Sequence, residues 1–313
     1  ESMPRSAVAH SWRQAARDRN ASIRLKAIRA LAEIGPVAKS AIPDLSVALK
    51  DTDEQVRLEA ANALGKMGDA AKTAVPSLVE ALSDPRQAVR VSAIHALSSL
   101  GAEAKPAMAD LTQALSDPQR EVRVSAIVAL GRLGEASKGA VPMLAQSLND
   151  PDKDIRLKAT TALGSIGTEA SAAVPELVKA LRHRDRDTRS FAALTLGKVG
   201  SGAKVAVPEL TIALSDLDKD VRGYAAVALG KIGLEAKSAL PELVKTSKTR
   251  IRGCGSVRHW RSTAWRVCCK TKLDRSTVMN CLRSTPTSKK PCPCCPILRQ
   301  TLVMRCWRRC DDR

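Results

Sequence analysis

The chain has 313 residues but only one Phe, one Tyr and four Trp, too few for a large aromatic-filled core. Its formal charge of +19 suggests a polyanionic partner until it is divided along the sequence. Residues 1–245 carry 34 Lys/Arg and 29 Asp/Glu, a net of +5, whereas residues 246–313 carry 17 Lys/Arg and three Asp, a net of +14. The basicity is mostly C-terminal, so it argues against nucleic acid as the partner of the remaining body. All nine Cys also lie between Cys254 and Cys310, and a cysteine-free body says nothing about redox compartment. No run of 18 apolar residues occurs, and the opening Glu1-Ser2-Met3-Pro4 lacks a basic region followed by an apolar stretch. Neither a membrane span nor a secretion signal is expected. Because the chain does not begin with Met, an upstream signal stays open, and a cytoplasmic location is the default expectation.

From Ile23 onward an aliphatic residue followed by Arg returns every 33 residues. The pairs are Ile23-Arg24, Val56-Arg57, Val89-Arg90, Val122-Arg123, Ile155-Arg156, Thr188-Arg189 and Val221-Arg222, with Thr188 the one non-aliphatic member. A fixed period of this length marks stacked supersecondary units, each too small to bury its own apolar faces. Residues 1–245 are therefore expected to form one elongated repeat body whose first unit is partial or atypical.

The unit from Ala41 to Gly68 shows the local logic. Ala41-Ile42-Pro43-Asp44-Leu45 through Leu49 predicts a first helix, with Pro43 in the first turn, where its missing N–H costs little. Asp51-Thr52-Asp53 favours a turn and a helix N-cap. Val56, Ala60, Leu64 and Met67 then fall on one stripe of a second helix, and Gly68 reads as its left-handed terminator. The glycine recurs as Gly35, Gly101, Gly134, Gly167, Gly200 and Gly233. The proline recurs as Pro76, Pro142, Pro175, Pro208 and Pro241, with Ala109 the exception. Ala-rich stretches such as Ala60-Ala61-Asn62-Ala63 permit close helix–helix approach.

The turn aspartate recurs as Asp18, Asp51, Asp84, Asp117, Asp150 and Asp216, with His183 the exception, and each precedes an Arg by six residues. Asp51, Arg57, Asp84, Arg90, Asp117, Arg123, Asp150, Arg156, Asp216 and Arg222 are therefore expected to form a structural ladder. Each guanidinium would bond a turn aspartate of its own or an adjacent unit, a task for which the planar arginine fork suits better than lysine. A phosphate-binding arginine row is the weaker alternative, because an aspartate accompanies nearly every arginine. Arg123→Ala is expected to cost about 1–3 kcal/mol of stability without changing ligand choice.

Units of the form D-x-D-x-x-V-R-x-x-A-A-x-A-L-G-x-[IVLM]-G followed by A-V-P-x-L resemble HEAT repeats, in particular the short phycobilisome-lyase-like subtype. Ankyrin repeats share the period, but their T-P-L-H-x-A signature is missing. The resemblance covers about three quarters of the chain. It implies an all-α fold: a right-handed α-α superhelix, or solenoid, of about seven helix-turn-helix units whose second helices line a concave binding face. The function it implies is a scaffold for protein partners without intrinsic catalysis. Its alternative is a bilin (phycocyanobilin) lyase-type or other enzyme-associated subunit, although no residue here specifies chromophore chemistry. Deoxyhypusine hydroxylase solenoids hold di-iron through His-Glu pairs, yet none of His10, His95, His183 and His259 precedes Glu. Glycosylase solenoids use aromatics on a basic face, and the body offers only Trp12, Phe191 and Tyr224. With no nucleophile–base set, phosphate loop or metal-spaced carboxylate cluster in the body, no cofactor is expected.

Two positions of the second helix vary on this constant frame. One series is Arg29, Asn62, His95, Val128, Thr161, Leu194 and Val227; the other is Lys26, Glu59, Ser92, Ser125, Lys158, Phe191 and Tyr224. Such variation fits a partner-specific surface, and drift on a solvated face gives the same picture. Phe191 and Tyr224 replace polar residues one period apart, so they either anchor a partner together or cap the inter-repeat core. The partner-binding candidates are Phe191, Tyr224, Lys158, Leu194, Val227, His95 and Asn62. His183, among Arg182, Arg184 and Arg186, reads as a solvated basic turn.

After Lys245 the pattern vanishes, and where an eighth unit should supply Val and Arg the sequence reads Cys254-Gly255. Cys292, Cys295, Cys306 and Cys310 have a spacing that four zinc thiolates could use, which makes them weak metal candidates. A second reading accounts for more. When the last base of each codon is joined to the first two of the next, Cys254 becomes Leu, Met or Val and Gly255 becomes Arg or Trp. Arg258 and His259 both permit Ala, so the repeat motif is compatible with the shifted frame in the correct register. A frameshift near Thr246 is thus expected, and residues 246–313 read as an irregular, poorly structured Cys/Arg-rich segment rather than a natural domain.

Overall fold

The computed structural model describes residues 5–248, which form a stack of helix pairs joined by tight turns. The remaining tail, with Cys292, Cys295, Cys306 and Cys310 and the shifted-frame motif, lies outside the described residues. The short odd-numbered helices are α1 (Arg5–Ala15), α3 (Ile42–Ala48), α5 (Val75–Ala81), α7 (Met108–Gln113), α9 (Val141–Gln146), α11 (Val174–Ala180), α13 (Val207–Ala213) and α15 (Leu240–Lys248). Between them run the longer even-numbered helices α2 (Ala21–Ile34), α4 (Glu54–Met67), α6 (Gln87–Ser99), α8 (Arg120–Leu133), α10 (Lys153–Ile166), α12 (Arg186–Val199) and α14 (Lys219–Ile232).

Helix α4 shows why the chain folds this way locally. The Asp53 carboxylate accepts the N–H groups of Gln55 at 2.8 Å and Val56 at 3.2 Å, satisfying two of the donors that open any helix. Val56, Ala60, Leu64 and Met67 are all buried, as their spacing predicts. At the far end Gly68 has φ 55 and ψ −139, which is not the left-handed helical pair expected of it. A positive φ with so negative a ψ is open almost only to glycine, and it turns the chain straight into a 3-10 segment, Gly68–Ala74. Each unit therefore has three parts, since a 3-10 link of this kind joins each even helix to the next odd one. Pro76 then sits in the first turn of α5, whereas the unit with Ala109 carries Pro106 inside its 3-10 link.

Ala, Leu, Val and Ile fill a core that runs without a break from Ala16 to Leu243. Consecutive even helices pack along their length, and consecutive odd helices meet at far fewer points. The even layer owes its closeness to a seam of small residues. A Cβ added to Gly65, Gly131 or Gly197 would lie 3.1, 3.1 or 3.0 Å from the Cα of Ala96, Ala162 or Ala228 on the following even helix. In α6 the seam position is held by Ser98, whose buried hydroxyl finds no hydrogen-bond partner. In the first unit an ionic clamp ties this segment to α3: Arg13 of α1 and Arg17 just after it donate to the buried Asp44 carboxylate at 2.7 and 2.6 Å.

Candidate functional site

The arginine row is the most regular polar feature of the stack. Arg57 donates from Nε and Nη2 to the Asp84 carboxylate at 2.6 and 3.2 Å, while its Nη1 bonds the backbone carbonyl of Asp51 at 2.9 Å. Arg24 repeats this with Asp51 at 2.7 and 2.7 Å, Arg90 with Asp117 at 2.9 and 3.0 Å, and Arg189 with Asp216 at 2.8 and 3.0 Å. The carboxylate is thus supplied by the following unit. The aspartate six residues earlier contributes only its main-chain oxygen, and Asp51 Oδ1 also accepts the Asp53 N–H at 2.9 Å. Desolvation raises the Asp51 pKa, but the Arg24 hydrogen bond, the Asp53 N–H and the charges of Arg24 and Arg57 outweigh it and hold the carboxyl below its ordinary value.

Three members depart from the pattern. Arg123 approaches Asp150 only to 4.0 Å, so its loss is expected to cost less than that of Arg57. Arg222 bonds the Asp216 carbonyl at 2.7 Å, and the position ahead of it lies outside the described residues. Arg156 faces His183 where the other units have aspartate. Buried in the turn, it bonds the carbonyls of Asp150 and Pro151 at 2.8 and 2.9 Å and reaches Thr188 Oγ1 only at 3.4 Å. His183 is half-buried rather than solvated; its Nδ1 accepts the Asp185 N–H at 3.0 Å and so takes over the turn-forming role of the missing aspartate. Desolvation, then the charge of Arg156, lowers its pKa.

The variable positions lie on the opposite, outward face of the even helices. Asn62, His95 and Thr161 are exposed there, Val128, Leu194 and Val227 are half-buried, and Ser92 and Ser125 are buried. The two series are therefore not equally accessible. Charges in the earlier units are largely paired: Arg29 with Glu59 at 2.8 Å, Lys66 with Glu33 at 2.7 Å, and Lys158 with Asp154 of its own helix at 3.2 Å. The His95 pKa is lowered by desolvation and then by Arg132 of the next unit. On α12 and α14 the face changes character, with Phe191 and Leu194 half-buried, Val227 half-buried and Tyr224 37% exposed. Lys198 and Lys231 lie one turn beyond them; sequence reading missed both, although each repeats the other at the 33-residue period. The odd layer also exposes Val47 and Ile212, but Glu80, Gln113, Gln146 and Lys179 hold the same position in the units between, so no continuous apolar patch forms. Among the described residues no group of three or more His, Cys, Asp or Glu is placed to hold a metal, and no helix is long and apolar enough to cross a membrane.

The sequence model of HEAT repeats matches residues 10–98, 108–174, 141–216 and 174–253, which together span most of the chain. The chain belongs to the HEAT-repeat family. No curated protein matches it closely enough to count as a relative. Solved structures similar to this HEAT-repeat protein include an engineered protein, 25% identical, with a TM-score of 0.61 over 84% of this chain and 80% of that one. A Kap121p mutant is 14% identical with a TM-score of 0.55; 84% of this chain matches, spanning about a third of that protein (34%). The CpcE–CpcF complex of phycocyanin lyase from a Nostoc species is 21% identical with a TM-score of 0.44, covering 83% of this chain and 94% of that one. These likenesses concern the helical-repeat fold.

Proposed function

We propose that this HEAT-repeat protein is a non-catalytic scaffold that holds protein partners on the outward face of its even-numbered helices. The observation that carries the reading is the division of labour within each unit. The core, the glycine turn and the arginine rung repeat from unit to unit, while the outward face changes and becomes apolar on α12 and α14. Consecutive even helices pack along their length, so a face built from them would let several units touch one ligand. Half-exposed aromatic side chains on such a face are the residue types that dominate protein interfaces.

The test is recovery of partners by the full chain and by two double variants. Phe191→Ala with Tyr224→Ala is expected to lose most partner recovery, whereas Val47→Ser with Ile212→Ser on the odd layer is expected to retain it. The opposite pattern would remove the even face from consideration.

A further inference from the structure

We propose that the face of α12 and α14 takes an acidic segment of a partner protein that carries aromatic or aliphatic side chains. The proposal rests on the even-face reading and narrows it to one chemistry.

Residues four, seven and eleven positions apart share one helix face. On α12 that face reads Asp187, Phe191, Leu194, Lys198, and on α14 it reads Asp220, Tyr224, Val227, Lys231. Two adjacent helices thus present the same order of acid, aromatic, aliphatic and base, which makes an apolar band with one charged edge on either side.

The two edges are not electrically equivalent. On the acidic edge Asp187 is ion-paired to Lys153 at 2.6 Å and to Arg186 at 3.5 Å, and Lys153 also reaches Asp185 at 3.0 Å. Arg186 approaches Asp218 at 3.7 Å, and Asp154 of α10 is held by Arg120 at 3.1 Å and Lys158 at 3.2 Å. On α12 that edge is compensated by its own lysines and arginines, whereas Asp220 on α14 has no lysine or arginine within ion-pair distance among the described residues. On the basic edge neither Lys198 nor Lys231 has a carboxylate within ion-pair distance among the described residues. Gly164 on α10 lies beside Lys198, since a Cβ there would meet Lys198 Cδ at 3.0 Å and Nζ at 3.4 Å, and both Lys198 and Lys231 are exposed.

Uncompensated cations beside an apolar band repel a basic ligand and attract a carboxylate-rich one, and the electrostatic part of the preference is mainly one of specificity. A polyanion without apolar groups would leave the band uncovered and meet Asp187 and Asp220 across it. An acidic chain with aromatic or aliphatic side chains satisfies both the band and the lysines.

The experiment places the photo-cross-linking residue p-benzoylphenylalanine at Val227 in the full chain, so that only ligand on this face is counted. The probes are random copolymers of glutamate with tyrosine and of lysine with tyrosine, and a glutamate homopolymer. The glutamate–tyrosine copolymer is expected to cross-link at least about tenfold more than either other probe, and Lys198→Glu with Lys231→Glu is expected to lower its yield by about tenfold. Cross-linking that favours the lysine–tyrosine copolymer would overturn the acidic partner while leaving the even face in use. A glutamate–tyrosine yield unchanged by the two charge reversals would overturn the proposal outright. Absence of any cross-link at Val227, with normal partner recovery by the parent chain, would overturn this site and leave the broader scaffold reading standing.

Discussion

Four ladder arginines, Arg24, Arg57, Arg90 and Arg189, divide their donors between two units. Nη1 of Arg57 stays on the Asp51 carbonyl of its own turn, while Nε and Nη2 reach forward 27 residues to Asp84. The recurrence of Asp and Arg is visible in the sequence, but neither the direction of pairing nor which rungs close can be read from it. Steps of six and 27 residues sum to one period, so a periodic sequence looks identical for either neighbour, and only the offset between stacked turns selects one. His183 breaks the row and leaves Arg156 buried without a carboxylate. His183→Asp is expected to complete the rung and raise stability by about 1–2 kcal/mol, the range for a partly buried charged hydrogen bond, read from the urea midpoint. The parent should also carry a pH signature that the variant lacks. Because the His183 pKa is lowered in the folded chain from its ordinary 6.5, the unfolded chain binds the proton more readily. Stability is therefore lost as pH falls below 6.5 toward the folded value. An unchanged or lower midpoint in the variant would show that His183 is already the better partner for this turn.

At the scale of elements, helix lengths and their buried stripes followed from apolar spacing, whereas the 3-10 links did not. Gly68 reads in the sequence as a left-handed terminator, and only its ψ shows that the chain enters a further helical turn at once. The seam of the even layer was half visible: the alanines implied close packing, but the reason for Gly65, Gly131 and Gly197 appears only when each is placed against an alanine of the next helix. Two glycine substitutions separate packing from chain entropy. Gly197→Ala drives a Cβ to 3.0 Å from Ala228 Cα, and the resulting shift of two helices is expected to destabilise by about 1–3 kcal/mol. Gly223→Ala, inside α14 with no neighbouring atom within 4 Å of the added carbon, is expected to stabilise by about 0.5–1 kcal/mol. Denaturant midpoints that move in the same direction for both would contradict the seam.

The whole stack behaves as a frame carrying a changeable face. Its core joins each unit to the next, and the rung recurs in four of the units with the same two-sided bonding. Recognition must therefore come from residues that the frame leaves free, which is why the motif identified the HEAT-repeat family at once and said so little about its partner. The most direct measurement is quantitative partner recovery by two variants of the full chain at a temperature where both are folded. Arg57→Ala removes a rung of the frame, and Phe191→Ala with Tyr224→Ala alters only the face. The prediction is a lower melting temperature with unchanged recovery for the first, and an unchanged melting temperature with lost recovery for the second. Loss of the same partners by Arg57→Ala while folded, with full recovery by the face variant, would contradict the account.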